Sequence, residues 1–132
     1  MRYMLLIYGD ERARETRTAE EKERGMAEAV AMMEEANRRG IFCGADPLQP
    51  TSAATTVRHK DGKVQITDGP FAETKEQLGG YIILDCKDLD EALEWAARFP
   101  TSCGGAKCVE VRPVLPMPVI GKGTHATTDV HG

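Results

Sequence analysis

The chain predicts an α+β sandwich of ferredoxin-like type, in the order β-α-β-(hairpin)-β-α-β. Three observations carry this. Arg2 to Tyr8 and Gly79 to Asp85 read as strands with apolar residues on both faces. Two segments, after Thr18 and after Asp88, open with helix caps and continue with apolar residues at helical spacing. Between them, Asp61-Gly62 sits as a two-residue turn between β-branched runs, the strongest short-range hairpin signal.

Each element follows from its residues. In Arg2 to Tyr8, Tyr3, Leu5 and Ile7 point one way, and Met4, Leu6 and Tyr8 the other. Gly9 to Arg17 reads as a polar link. Thr18-Ala19-Glu20-Glu21 is a capping-box pattern, and the helix after it repeats Met26, Ala29, Val30, Met33 and Ala36 on one expected inner face. Arg38 and Arg39 suit its last turn and Gly40 its stop. Ile41 to Leu48 returns as a short strand, broken by Gly44 and ended by Pro47 and Pro50. The hairpin register places His59 opposite Val64, Arg58 opposite Gln65 and Val57 opposite Ile66, which makes His59 a structural residue near an exposed tip. In Gly79 to Asp85, Tyr81 and Ile83 share one face, Ile82 and Leu84 the other. Asp88-Leu89-Asp90-Glu91 caps a helix whose expected apolar face is Leu89, Ala92, Leu93, Ala96 and Phe99, with Trp95 at its border and Pro100 as the stop. Lys107 to Arg112 closes the sheet, Val109 and Val111 inward, Glu110 and Arg112 outward. From Val114 the chain loses apolar periodicity. The expected organisation is therefore a domain over 1–114 and an extended arm with a loose tail over 115–132.

Length and charge narrow the function classes. The 132 residues suit one domain with a core of its own, and a net charge of −4 gives an acidic protein. The first 66 residues balance eleven acids with eleven bases, whereas the remainder carries ten acids and six bases. No basic half exists, which argues against nucleic acid as a partner. No apolar run reaches the ~20 residues of a membrane span, and the apolar start is too short for a signal peptide. The expectation is a cytoplasmic protein that binds neither membrane nor nucleic acid. Cys43 and Cys86 lie in strand-like apolar surroundings and read as small core residues, reduced rather than bridged. Cys103 and Cys108, with His125 and His131 in the tail, are the remaining metal candidates. Their C-x4-C spacing has no second tight pair after it, so neither metal nor cofactor is expected.

Two helices cover only one face of such a sheet. Both central strands are apolar on both faces, so the second face needs a cover, and a second copy packed face to face is the economical one. The expected assembly is a homodimer.

One segment stands apart: Thr67-Asp68-Gly69-Pro70-Phe71-Ala72-Glu73-Thr74-Lys75-Glu76-Gln77-Leu78-Gly79-Gly80. Asp68 can bond to amides two residues on, Gly69 permits unusual backbone angles and Pro70 fixes the exit. Phe71 is an aromatic set just before a dense polar run. An Asx-type turn with a solvated loop accounts for these residue types, and so does a site. This segment, with Arg2-Tyr3-Met4-Leu5-Leu6-Ile7-Tyr8-Gly9-Asp10, Leu48-Gln49-Pro50, Thr55-Thr56-Val57-Arg58 and Leu89-Asp90-Glu91-Ala92, resembles the DGPF-domain group of the YCII-related family over about residues 1–114. The resemblance implies a ferredoxin-like fold assembled as a dimeric α/β-barrel. It also implies, from the sigma-factor genes that often adjoin this group, a regulatory or stress-linked setting. A His/Asp active-site pair has been proposed for some members, its His on the first helix. Ala19 to Arg39 contains no histidine, so that pair does not carry over.

Two functions remain in view. One is a small cofactor-free enzyme of proton-transfer, lyase or isomerase type acting on a small metabolite. Asp68 is then the candidate acid or base, Lys75 the anion stabiliser, and Phe71, Glu73, Thr74 and Gln77 substrate-binding residues. The other is a non-catalytic ligand-binding or regulatory module built around the same loop.

Overall fold

Strand β1 (Arg2–Gly9) runs through the middle of a four-stranded antiparallel sheet, between β5 (Gln77–Asp85) and β6 (Ala106–Pro113), with β2 (Phe42–Pro47) at the far edge beyond β5. The computed structural model describes residues 1–120. Helix α2 (Ala19–Arg38) connects β1 to β2, and α3 (Leu89–Arg98) connects β5 to β6. This is the expected ferredoxin-like order. The hairpin β3 (Thr55–Lys60) and β4 (Lys63–Asp68) forms a separate two-stranded sheet in the predicted register, His59 opposite Val64 and Val57 opposite Ile66. Asp61 and Gly62 both adopt positive φ, as a type I′ turn demands.

Both long helices lie on one face. Tyr3, Leu5, Ile7, Ile82 and Leu84 point from the sheet into a core completed by Met32 and Ala36 of α2 and Ala92 and Trp95 of α3. Leu5, Ile82 and Leu84 are essentially sealed, each contributing about 1.5–3 kcal/mol by leaving water. The opposite face carries Met4, Leu6, Tyr8, Tyr81 and Ile83 at half-buried positions, with Glu110 and Arg112 beside them.

The helix ends follow the sequence closely. Thr18 accepts from the Glu21 amide at 3.0 Å while Glu21 accepts from the Thr18 amide at 2.8 Å, a full capping box. Asp88 caps α3 through the Glu91 amide. Gly40, at φ +76°, lets the chain leave α2 and the Ile41 amide reach back to Ala36.

The inner faces differ from expectation in three places. In α2 the buried residues are Gly25, Ala29, Met32 and Ala36, whereas Met26 and Val30 are exposed. The helix is turned so that its smallest side chains meet the neighbouring backbone: a Cβ on Gly25 would stand 2.8 Å from the Ser102 carbonyl carbon. In α3 Trp95 is 2% exposed, while Leu89 and Leu93 face outward. The guanidinium carbons of Arg39 and Arg98 lie 5.2 and 4.5 Å from the Trp95 ring centroid, so cations rather than leucines complete its enclosure. Glu35 holds both arginines, at 2.6 and 2.5 Å. Finally, Cys43 is exposed, not a core residue. Phe42 pairs with Leu84 and Gly44 with Ile83, which leaves Cys43 as the extra residue of a β-bulge. Cys86 is buried as expected.

The Gly9 to Arg17 link is also more ordered than its composition suggests. It contains a short helix, α1 (Glu11–Glu15), capped by Asp10 through the Arg12 amide at 2.9 Å. After β6, Val114 still bonds to the Arg2 carbonyl at 2.8 Å, and the arm beyond it exposes Leu115, Met117, Val119 and Ile120.

Candidate functional site

A cleft of about 160 Å³ opens between α1, α2 and the end of the sheet where β1 leaves and β5 enters. That volume matches the roughly 150 Å³ cavity that holds one benzene ring in a well-studied protein core. Met26, Ala29 and Met33 from α2, with Ile7 and Ile82 from the sheet, give it apolar walls. Arg14, Lys22, Glu11 and Gln77 bring polar atoms to the same space. Apolar walls with a few convergent polar groups are the usual composition of a small-molecule site.

Local irregularities of the sheet shape it. Ile7 pairs with Gly80 and Tyr8 with Leu78, so Gly79 is bulged out of β5. On the other side Tyr8 pairs with Cys108 and Gly9 with Ala106, which bulges Lys107 from β6. Bulges bend a strand and strengthen its twist. At Gly80 any side chain would be blocked, since a Cβ would lie 2.9 Å from the Asp46 carbonyl oxygen.

The polar groups are tied into a network. The Glu11 amide donates to Gln77 Oε1 at 3.0 Å, and Gln77 Nε2 donates to the Thr74 carbonyl at 2.6 Å. The Glu11 carboxylate accepts from the Thr51 amide at 2.8 Å and from the Thr51 hydroxyl at 2.7 Å. Gln77 thus joins the signature loop to α1, and Glu11 joins α1 to the turn before β3. On the opposite face of the sheet, outside the cleft, the Tyr81 hydroxyl donates to Asp46 Oδ2 at 2.6 Å. That bond holds the phenol in its neutral form, its pKa above the ordinary value. Cys103 also lines the cleft. Burial pushes its thiol pKa up, against the pull of Arg14 and Arg17, so it is not an activated thiolate.

Of the catalytic and substrate-binding candidates in the signature loop, Gln77 alone lines this cleft. Asp68 ends β4 opposite Thr55 and is exposed. Gly69 follows with φ +106°, strapped to β3 by the Thr56 hydroxyl on its carbonyl at 2.7 Å and by its own amide on the Ala54 carbonyl. Phe71 is 75% exposed, its carbonyl accepting from Arg58. Thr74 turns its hydroxyl onto the Glu76 carbonyl at 2.6 Å, and Glu73 and Lys75 face outward. The segment is therefore a strapped turn whose last member, Gln77, reaches the cleft. Sequence reasoning missed Glu11, Arg14 and Lys22, which stand in a polar link and on the polar part of a helix where composition offers no signal.

Among the described residues no group of three His, Cys, Asp or Glu side chains is placed to hold a metal ion. Cys103 is half-buried and Cys108 exposed, the latter donating to Glu76 at 3.4 Å, and His125 and His131 lie outside the described residues. No described helix is long and apolar enough to cross a membrane.

The model of the YCII-related domain matches residues 1–118. An uncharacterised protein of Rhizobium meliloti (strain 1021) is 40% identical over 114 residues, which span 86% of this chain and 92% of the relative. The chain belongs to the YCII-related family.

Proposed function

We propose that this YCII-related protein takes a small organic molecule into the cleft and moves a proton on it without a cofactor. The observation that carries the reading is a ring-sized and largely apolar cleft with Glu11, Gln77, Arg14 and Lys22 on its lining. Thr51 donates to the Glu11 carboxylate twice and orients it, which leaves lone pairs to accept a proton from a bound carbon or hydroxyl acid. Glu11 takes the role of acid or base in this reading, and Gln77 ties the start of its helix to β5.

Exchange with solvent tests it without knowledge of the substrate. A panel of small carbonyl compounds incubated in D2O with the protein should include one whose α-proton signal disappears by NMR. Glu11→Gln should slow that exchange by a factor on the order of 10²–10⁴. Binding in the cleft with no exchange on any compound would instead favour a non-catalytic ligand-binding or regulatory module. The exposed Phe71, outside the cleft and available for docking, is the observation on that side.

The same reading includes a second copy. Met4, Leu6 and Ile83 form an apolar outer face that no described helix covers, and the charges beside it, Glu110 and Arg112, suit a self-complementary contact. Sedimentation at micromolar concentration should give a homodimer; a stable monomer overturns this part.

A further inference from the structure

The cleft's charges are engaged unequally. Its carboxylate, Glu11, already has donors, accepting twice from Thr51. Its two cations, Arg14 and Lys22, have no side-chain acceptor among the described residues. Arg14 is nonetheless half-buried and held in place, since α1 is tied at its start to Gln77 and Thr51. The neighbouring Arg17 differs: it is committed to the Ser102 carbonyl at 3.0 Å. A half-buried guanidinium with unused donors beside apolar walls is matched by a planar anion on an apolar body.

We propose that the ligand of this cleft is a small carboxylate, with one ring or a short aliphatic chain as its body, whose anionic end is held by Arg14 and Lys22. The inference rests on the cleft being a small-molecule site and adds the class of molecule. The carboxylate end lies on the α1–α2 side, with the body on Met26 and Met33. Binding neutralises the free cations without disturbing Glu11, which Thr51 already engages.

The two methionines supply a local readout. In protein labelled with 13C at the methionine methyls, benzoate and hexanoate are titrated against their neutral counterparts, benzamide and hexanamide. The expected result is movement of the Met26 and Met33 signals, with the carboxylates binding at least tenfold more tightly than the amides. Arg14→Met combined with Lys22→Met should abolish that preference and keep the amide affinity; Arg12→Gln, on the exposed side of α1, should keep the preference. Inorganic phosphate should move these signals less than benzoate, because it has no body for the apolar walls. Equal affinity for acids and amides overturns the carboxylate inference and leaves the cleft reading intact. The same holds if the double variant keeps the preference, or if phosphate matches benzoate. No movement of Met26 and Met33 with any compound overturns both.

Discussion

Replacing Gly25 by Ala sets two effects of opposite sign against each other. An alanine in a helix interior is better than glycine by about 1 kcal/mol. At this position the new methyl would stand 2.8 Å from the Ser102 carbonyl carbon and 3.0 Å from the Cys103 Cα, and closer still to the Ser102 oxygen. Non-bonded carbons rest at roughly 3.5–4.0 Å, so α2 and the loop after α3 must separate by on the order of 1 Å. Neither side yields easily. The atoms met are backbone, and the loop is held by Arg17, just before α2, on the Ser102 carbonyl and by the Ser102 hydroxyl on Glu28 of α2. Overpacking of this kind costs about 1–3 kcal/mol, and rigid neighbours place it at the upper end. Subtracting the helix gain leaves a net loss of about 2 kcal/mol, which lowers Tm by roughly 5–10 °C. Urea and thermal unfolding followed by circular dichroism, with the fluorescence of the single tryptophan as second signal, measure it. Ala27→Gly, on the exposed side of the same helix, serves as reference and should lose only about 1 kcal/mol. A Gly25→Ala protein as stable as the parent would refute the close approach of helix and loop.

Trp95→Ala should cost about 3–5 kcal/mol by urea unfolding, because it empties a buried aromatic site and strands two arginines over the gap; a loss under about 1 kcal/mol would refute the enclosure described for it. The hydrogen bond from Arg98 holds the Glu35 carboxyl below the ordinary carboxylate range. Its stabilisation is then complete above the unfolded-state value of about 4.3 and is lost as pH falls through the lower folded-state value. Tm measured from pH 7 to 3 should therefore drop less steeply in Glu35→Gln than in the parent, and identical slopes would count against it. Cys86 is 1% exposed and burial pushes its pKa to about 11, so a thiol reagent at pH 8 should modify the exposed Cys43 and Cys108 at once and Cys86 only after unfolding, as peptide mass spectrometry would show.

What the sequence disclosed follows the range of the interactions. The capping box at Thr18, the stop at Gly40 and the Asp61-Gly62 register were legible because each is decided by residues within a few positions. The face of α3 was not. Leu89 and Leu93 score as more apolar than Trp95 beside them, but Trp95 wins burial because Arg39, just past the end of α2, and Arg98 come to lie over its ring, and only one of these is its neighbour in sequence. Gly25 carried a usable signal, since a glycine inside a helix pattern often marks a close backbone approach. Helix α1 was hidden because Glu-Arg-Ala-Arg-Glu has no apolar stripe, and its order comes from Asp10, Gln77 and Thr51. The cleft suffers most from this limit. Arg14, Lys22 and Gln77 come from three separate segments, and no spacing rule joins them.

The paired bulges around β1 bear on how the molecule moves. Both ladders of β1 run without interruption from Tyr3 to Ile7, and both slip within the next two residues, one against Gly79 and the other against Lys107. The sheet is thus stiff where Leu5 and Ile82 lie at its centre and compliant at the cleft. Amides near Gly79 and Lys107 should exchange with solvent well ahead of those at Leu5 and Ile82. A guest entering the cleft would close a seam the strands leave loose, and the order it brings would travel inward along β1 rather than across the helices.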